Sequence, residues 1–226
     1  MLRLSFVTGT EPDKWFQRFN ERTFHGGVQP FGSDDPVHDL FSGDADLSLV
    51  RLPDPRVEQS QEDLHIVRLY EEARGVALPV DHTMTLLDTL GPDELEDEKV
   101  MATYQGPSAI QEIREGLQVV AANVGIVFAP RPLLKVLCGK KVEHRGYSGQ
   151  AHPDTSIALV WYKERDGEDI QDFVGIAKGR RANSSRQLKT KKSAKSKAEP
   201  KREVTKKAKV GRRPLRKKQR RRGTKR

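Results

Sequence analysis

Two short polar stretches have the residue types and the positions that small-ligand sites of α/β proteins use. Thr8, Gly9 and Thr10 lie between a predicted strand and a predicted helix. Their hydroxyl and backbone N–H groups can bind a carboxylate or a phosphate, as free N–H groups at the start of a helix do. The same atoms can simply cap the helix through Thr10. The sequence leaves both interpretations open.

A second polar stretch follows another predicted strand, residues 99–103. We expect Tyr104, Gln105 and Ser108 to be a second set of ligand contacts. An ordinary polar loop in which Ser108 caps the next helix fits equally well. Asn123 precedes a further buried strand and is a weaker candidate, because Asn at such a place more often ends a helix in the left-handed conformation.

Patterns typical of catalysis or of metal binding are missing from the sequence. The six histidines lack HExxH spacing, and no GxSxG, P-loop or GxGxxG motif occurs. The single cysteine, Cys138, excludes a disulfide scaffold and a Cys-rich zinc module, and its apolar surroundings predict a buried, unreactive thiol. We therefore expect no catalytic residue, no metal and no cofactor, and a protein that is not an enzyme.

The charge divides the chain into two parts. Residues 188–226 contain 20 Lys and Arg and two acidic residues, whereas the remaining 187 residues contain 21 basic and 30 acidic side chains. The basic segment has no aromatic residue and only four large apolar side chains, too few to offset the loss of chain entropy on folding. The sequence predicts a folded, acidic domain over residues 1–187 and a disordered tail over residues 188–226.

Clusters of Lys and Arg in this tail indicate a polyanionic partner. Such segments bind phosphate backbones by releasing condensed counterions, without reading bases, and the lack of aromatic residues argues against stacking on single-stranded bases. Nucleic acid is the expected partner, and a generic electrostatic tail is the alternative. The candidate contacts are Lys191, Lys192, Lys206, Lys207, Arg212, Arg213, Arg216, Lys217, Lys218, Arg220, Arg221 and Arg222.

The folded part alternates between strand and helix patterns. Strands are predicted at residues 2–7, 28–31, 46–52, 64–70, 74–79, 99–103, 125–129 and 155–162, and helices after Thr10 and at residues 35–41, 108–122, 132–137 and 170–177. This alternation predicts an α/β fold with largely parallel sheets.

Five segments, taken in order over about residues 1–180, resemble the effector-binding domain of LysR-type transcriptional regulators. They are LRLSFVTG with its following helix, LFSGDADLSLVRL, LYEEARGVALPVDHTM, VVAANVGIVFAPRPLL and TSIALVWYKERDGEDIQDFVGIAK. The winged helix-turn-helix that precedes this domain in the family is not matched, since the resemblance begins at the first strand.

The resemblance implies a two-lobed fold of the type 2 periplasmic-binding-protein kind. Lobe I would contain about residues 1–80 and 157–187, and lobe II about residues 81–156. Two crossing segments would act as a hinge, with an unidentified small-molecule effector in the cleft and a homodimer as the assembly. Ligands of open α/β sheets do lie beyond the carboxyl ends of strands.

Two functions from different classes are consistent with these features. The first is a cytoplasmic, LysR-like regulatory protein that binds an effector and associates with DNA through its tail. We expect DNA rather than RNA as the partner, and association with the nucleoid would follow from this. The second is an RNA- or ribosome-associated adaptor with a vestigial cleft. The sequence contains no run of 18 apolar residues, so it predicts no membrane span. The first residues lack the features of a signal peptide.

Overall fold

Residues 1–179, which the computed structural model describes, contain ten strands in two five-stranded sheets. The strands are β1 (Leu2–Val7), β2 (Val28–Ser33), β3 (Leu47–Leu52), β4 (Leu64–Glu71), β5 (Arg74–Pro79), β6 (Thr89–Leu90), β7 (Val100–Thr103), β8 (Ile126–Pro130), β9 (Val142–Tyr147) and β10 (Ser156–Tyr162). The first sheet has the order β2-β1-β3-β10-β4, and the second has the order β6-β9-β5-β8-β7. The predicted α/β fold class is confirmed.

Six α-helices cover the sheets within the same residues. They are α1 (Asp13–Arg22), α2 (Pro36–Phe41), α3 (Pro55–Gln59), α4 (Ile110–Val120), α5 (Arg131–Leu137) and α6 (Glu168–Ala177). Phe16 and Phe19 of α1 and Phe173 of α6 pack in one core cluster with apolar residues of β1, β3 and β10. Val37 of α2 and Val57 of α3 belong to a second cluster with the other face of that sheet. We call this sheet and its four helices the first half.

The second sheet carries α4 and α5 on one face, and we call these elements the second half. Ile113 and Leu117 of α4 lie on one side of the helix at the spacing of an amphipathic helix, and they pack with Leu133 of α5 against strand residues such as Val127. The opposite face is closed by a smaller cluster that includes Leu95, from a 3-10 helix.

The prediction of largely parallel sheets is wrong, because four of the eight strand pairings in residues 1–179 are antiparallel. Each sheet has one reversed strand, β10 in the first and β5 in the second. These are the strands by which the chain arrives from the other sheet. A parallel strand needs a crossover connection, usually a helix, and the short connections before β5 and β10 contain none. Both strands are therefore antiparallel to their neighbours.

The chain passes between the two sheets at residues 72–73 and again at residues 148–155. The predicted lobe boundary at residue 80 assigns β5 to the first lobe, but β5 pairs with β8 and β9 in the second sheet. The two crossing segments are joined by a hydrogen bond from the Glu72 N–H to the Thr155 carbonyl, 2.9 Å between the heavy atoms. The division into two lobes stays a prediction.

None of the helices in residues 1–179 is long and apolar enough to cross a membrane. The predicted tail, with all its candidate nucleic-acid contacts, lies outside the described residues.

Candidate ligand site

A fully buried ion pair lies at the carboxyl end of β3. In this strand Leu47 and Leu49 face the core of the first half, and Arg51 follows them on the same side because side chains alternate along a strand. The Arg51 Nε donates to Glu72 Oε2 at 2.6 Å, and Nη2 donates to Glu72 Oε1 at 3.0 Å. The two side chains are 1% and 0% exposed. Arg51 is thereby connected to the first crossing segment.

This ion pair explains how a charged side chain stays ionised in the interior. Burial lowers the pKa of Arg51, but the hydrogen bond and the negative charge of Glu72 raise it by more, so that the pKa lies above its ordinary value. Nη2 makes a further hydrogen bond to the Thr8 carbonyl, at 3.1 Å. The remaining nitrogen, Nη1, is buried and has no hydrogen-bond partner within the described part of the chain. Such orphaned buried donors are uncommon in folded proteins.

Tyr104 covers Arg51 from the side of the second half. It follows β7 directly and is 3% exposed. The Arg51 Cζ atom lies 5.7 Å from the centroid of its ring, within the range of a cation–π contact. The edge of the His152 ring, from the second crossing segment, lies against Tyr104 with 6.5 Å between centroids. Burial raises the pKa of Tyr104 by more than the charge of Arg51 and a hydrogen bond with the Arg51 side chain lower it, so its hydroxyl is protonated at neutral pH.

The predicted Thr8–Thr10 stretch also lies at this place, where it contacts the second half through its backbone. Gly9 has a φ of +99°, and a Cβ atom there would lie 2.9 Å from Leu133 Cα of α5. Only glycine combines this conformation with so close an approach. The Thr10 hydroxyl donates to the Val7 carbonyl at 2.7 Å, and α1 begins at Asp13 without a side-chain cap. Of the two interpretations that the sequence leaves open, the one in which Thr10 caps the helix is therefore wrong.

Two ion pairs at the surface join the halves beside this centre. The Thr8 hydroxyl donates to Asp34 Oδ1 at 2.6 Å, and Arg114 Nη2 of α4 donates to both oxygens of Asp34 at 2.9 Å. Lys135 Nζ of α5 lies 2.7 Å from a carboxylate oxygen of Glu11. Both contacts require the halves to touch, as they do here.

The other predicted ligand contacts lie apart from the buried centre or on the surface. Gln105 and Ser108 are exposed. Helix α4 begins at Ile110 after a 3-10 turn, so the alternative in which Ser108 caps it is wrong. Asn123 has a φ of +66° just beyond the end of α4. It precedes β8, at the amino ends of the parallel pair β7 and β8, whereas Tyr104 lies at the carboxyl ends.

The structure thus brings Thr8, Gly9 and Tyr104 together around two residues that the sequence did not single out, Arg51 and Glu72. One feature of the sequence points to Arg51: it is the only charged residue in the otherwise apolar strand pattern LSLVRL. Nothing comparable marks Glu72, which is one of two consecutive glutamates. A role for the predicted residues in ligand binding stays a prediction.

The thiol and the potential metal ligands of residues 1–179 do not form a reactive site. Burial, with a smaller contribution from Glu143, raises the pKa of the Cys138 thiol to about 12, which keeps it protonated and a poor nucleophile. Within the same residues, no group of three or more His, Cys, Asp or Glu side chains is arranged to hold a metal ion.

No protein-family model matches the chain, and no curated protein matches it. Solved structures do share its fold. The effector-binding domain of QuiR, solved in complex with shikimate, is 14% identical with a TM-score of 0.56, over 78% of this chain and 94% of that domain. Full-length CbnR, solved with its target DNA, is 14% identical with a TM-score of 0.55, over 76% of this chain and 65% of that chain.

A third solved structure also shares the fold of this chain. HinK, a LysR family transcriptional regulator from Pseudomonas aeruginosa, is 16% identical with a TM-score of 0.55, over 78% of this chain and 69% of that chain. Identities this low establish the fold alone. The chain has the fold of LysR-type effector-binding domains, which confirms the predicted resemblance at the level of structure.

Proposed function

We propose that this protein is a LysR-like regulatory protein that binds a small ligand between its two halves and nucleic acid through its basic C-terminal segment. The observation that carries the first part is the buried Arg51–Glu72 pair, in which Arg51 Nη1 has no hydrogen-bond partner among residues 1–179. It lies where the carboxyl ends of β1, β3 and β7 converge and where the chain crosses between the sheets.

The location supports binding in preference to catalysis. Carboxyl ends of strands are the usual ligand positions of open α/β sheets, and a centre contacted by both crossing segments is suited to report a ligand as a change between the halves. Arg51 is held charged and Tyr104 protonated, so neither is suited to exchange a proton at neutral pH. QuiR, which shares the fold, is named as binding shikimate at its effector-binding domain.

A thermal-shift screen of small metabolites on the full chain tests ligand binding. A ligand present at 100 times its Kd adds about 2.7 kcal/mol of stability, which is about 5–11 °C in Tm for a chain of this size. No shift with any compound would contradict the proposal.

The second part rests on charge. Neutralising Z phosphates gives a salt dependence of log K with a slope of about −0.9Z on duplex DNA. We expect replacement of Arg212, Arg213, Arg220, Arg221 and Arg222 by Gln to flatten this slope by up to about 4.5, measured by fluorescence anisotropy on the full chain. A matched control replaces five exposed cations of the folded part by Gln and should change the slope little. They are Lys14, Arg18, Lys99, Lys140 and Lys141.

Two further outcomes of the same experiment are informative. An equal loss in both variants would remove the special role of the C-terminal segment. Tighter binding to structured RNA than to duplex DNA at equal salt would favour the RNA-associated adaptor instead. A homodimer, which would place two basic segments on one DNA and raise their effective concentration, is tested by sedimentation equilibrium.

A further inference from the structure

We propose that His152 is a pH-sensitive switch in the second crossing segment, residues 148–155. While it is neutral, its ring holds this segment against the second half. Once it is protonated at acidic pH, the ring moves out of its buried position and the segment opens. The inference goes beyond the proposed function, because it needs neither a ligand nor nucleic acid.

The second crossing segment is held mainly by side chains. No backbone N–H group of residues 149–154 donates to a backbone carbonyl in the part of the chain that the structure describes. Arg74 of β5 donates to the Gly149 carbonyl at 3.3 Å and pairs with Asp154, which is exposed. His152 is the only buried residue among residues 149–154, at 3% exposed. The attachment of the segment therefore depends largely on this one ring.

The hydrogen bond of His152 shows which nitrogen takes up a proton. Nδ1 lies 2.8 Å from the Pro153 carbonyl. Because a carbonyl only accepts, Nδ1 carries the hydrogen of the neutral ring and Nε2 carries none. The proton that acid adds must therefore go to Nε2, which is buried. Solvent reaches this atom only when the ring becomes accessible, so protonation and opening are coupled.

The groups that face the ring disfavour its charge on balance. Burial lowers the pKa of His152 and is the largest effect. The positive charge of Arg74 lowers the pKa further, whereas the negative charge of Asp154 and two backbone carbonyls raise it. The carbonyls are those of Pro153 and of Ala129 in β8. The net pKa lies below the ordinary value of histidine, so the closed segment favours the neutral ring.

The position of the ring connects this switch to the contact between the halves. His152 lies against Tyr104, with 6.5 Å between the ring centroids. Tyr104 is itself uncharged at neutral pH and covers Arg51. Opening of the second crossing segment would remove one neighbour of Tyr104 and so change the surroundings of the buried ion pair.

The direction of the pH dependence follows from the two states of the ring. In the open segment water surrounds His152, and its pKa takes the ordinary value of about 6.5. Opening therefore takes up a proton at acidic pH, and the stability of the closed segment is complete above about pH 6.5. Below that pH the equilibrium constant for opening should rise by up to about tenfold per pH unit, until the pH reaches the pKa of the closed state.

Hydrogen exchange of single amides, followed by NMR on the full chain, measures this opening. The Ser148 amide donates to the Leu90 carbonyl at 2.9 Å, where the segment begins. The Glu72 amide donates to the Thr155 carbonyl at 2.9 Å, where the segment ends. The Asp46 amide, which donates within the first half, is the reference.

Protection factors, corrected for the intrinsic exchange rate, are compared at about pH 7.5 and about pH 5.5, one unit on either side of the ordinary histidine pKa. We expect the protection of the Ser148 and Glu72 amides to fall by up to about tenfold at the lower pH, and that of Asp46 to stay the same. Equal protection of the two amides at both pH values would overturn the inference.

Two variants assign the effect to one histidine. His152→Asn keeps a donor for the Pro153 carbonyl but cannot take up a proton, so it should abolish the pH dependence. His38→Asn makes the same change at an exposed histidine of α2 and should leave the pH dependence intact. A pH dependence that survives in His152→Asn, or that disappears in His38→Asn, would refute the role of His152.

A titration of the unmodified chain keeps the inference testable should His152→Asn fail to fold. The ring carbon between the two nitrogens of His152, followed by ¹³C NMR, should titrate with a midpoint below about 6.5. The loss of protection at Ser148 and Glu72 should follow the same proton uptake. A midpoint at or above the ordinary value, or a titration of His152 without any loss of protection, would overturn the switch.

Discussion

The substitution Glu72→Gln tests whether the buried pair holds the centre together. The glutamine side chain would keep the shape of Glu72 but not its charge, so that Arg51 would lose its counterion while still 1% exposed. The bonds at 2.6 and 3.0 Å would weaken, and the Thr8 carbonyl at 3.1 Å would remain as an unchanged acceptor. Removing one partner of a buried pair costs about 3–5 kcal/mol.

We expect the lower end of that range, because the amide introduced by Glu72→Gln retains one acceptor oxygen. A loss of about 3 kcal/mol corresponds to a decrease in Tm of about 6–12 °C for a domain of this size. Urea unfolding at pH 7, followed by circular dichroism, gives the free energy of unfolding, and differential scanning calorimetry gives the Tm.

A matched control uses an ion pair that differs mainly in exposure. Arg74 pairs with Asp154, whose side chain is 74% exposed, so Asp154→Asn should cost less than about 1 kcal/mol. Adding Arg51→Met to Glu72→Gln removes the buried charge that has lost its counterion, and should recover part of the lost free energy of unfolding. Equal losses in Glu72→Gln and Asp154→Asn, or a double variant that loses the sum of both single effects, would refute the reasoning.

Two further predictions concern the contact between the halves. Gly9→Ala places a Cβ atom 2.9 Å from the backbone of α5 at a φ of +99°, and should lower the free energy of unfolding in urea by about 1–3 kcal/mol. The control Gly43→Ala, at a φ of +82° with nothing within 4 Å, should lower it less. A larger loss in Gly43→Ala than in Gly9→Ala would contradict the close contact. Burial raises the pKa of Asp34, but its hydrogen bonds to Thr8 and Arg114 and the charge of Arg114 lower it by more, so the net pKa lies below its ordinary value. The stability that Asp34 contributes is therefore present above the unfolded pKa of about 3.9 and is lost as the pH falls through the folded value. Arg114→Gln should raise the midpoint of the Asp34 carboxyl in a ¹³C NMR titration, and an unchanged midpoint would show that the two side chains do not pair in solution.

The sequence predicts the elements of this fold better than their arrangement. Apolar periodicity locates most strands and helices because it reflects burial within each element. It misses β9, where VEHRGY has only Val142 and Gly146 buried and therefore no alternating pattern. The lobe boundary that the resemblance implies misassigns β5, since membership of a sheet depends on pairing with β8 and β9, which lie more than 45 residues further along the chain.

In the candidate site, too, some residues are predictable from the sequence and others are not. Thr8, Gly9 and Tyr104 are predictable because each follows a strand, and the ends of strands are places where ligands bind. Arg51 and Glu72 are not predictable in this way. Arg51 is marked only as the single charge in an apolar strand, Glu72 is not marked at all, and their pairing arises only when the chain crosses between the sheets. The importance of Arg51 comes from a partner 21 residues away and from burial that only the assembled sheets provide.

The surface contacts between the halves are too weak to fix their arrangement by themselves. The Asp34–Arg114 pair is 49% and 40% exposed, and the Glu11–Lys135 pair is 65% and 60% exposed. Exposed pairs of this kind contribute about 0–1 kcal/mol each. The balance between closed and more open arrangements would then depend mainly on the interior, where Tyr104 meets Arg51 and Gly9 meets α5.

A ligand at Arg51 would act directly on that balance. Arg51 is bonded to Glu72 in the first crossing segment, and the Glu72 N–H is bonded to Thr155 in the second. A group held by Arg51 from one half and by Tyr104 from the other therefore gains its second contact only while the halves are closed. If that contact is worth about 1.4 kcal/mol, ligand binding shifts the closed-to-open ratio about tenfold, which is enough for a regulatory response without any change in the fold of either half.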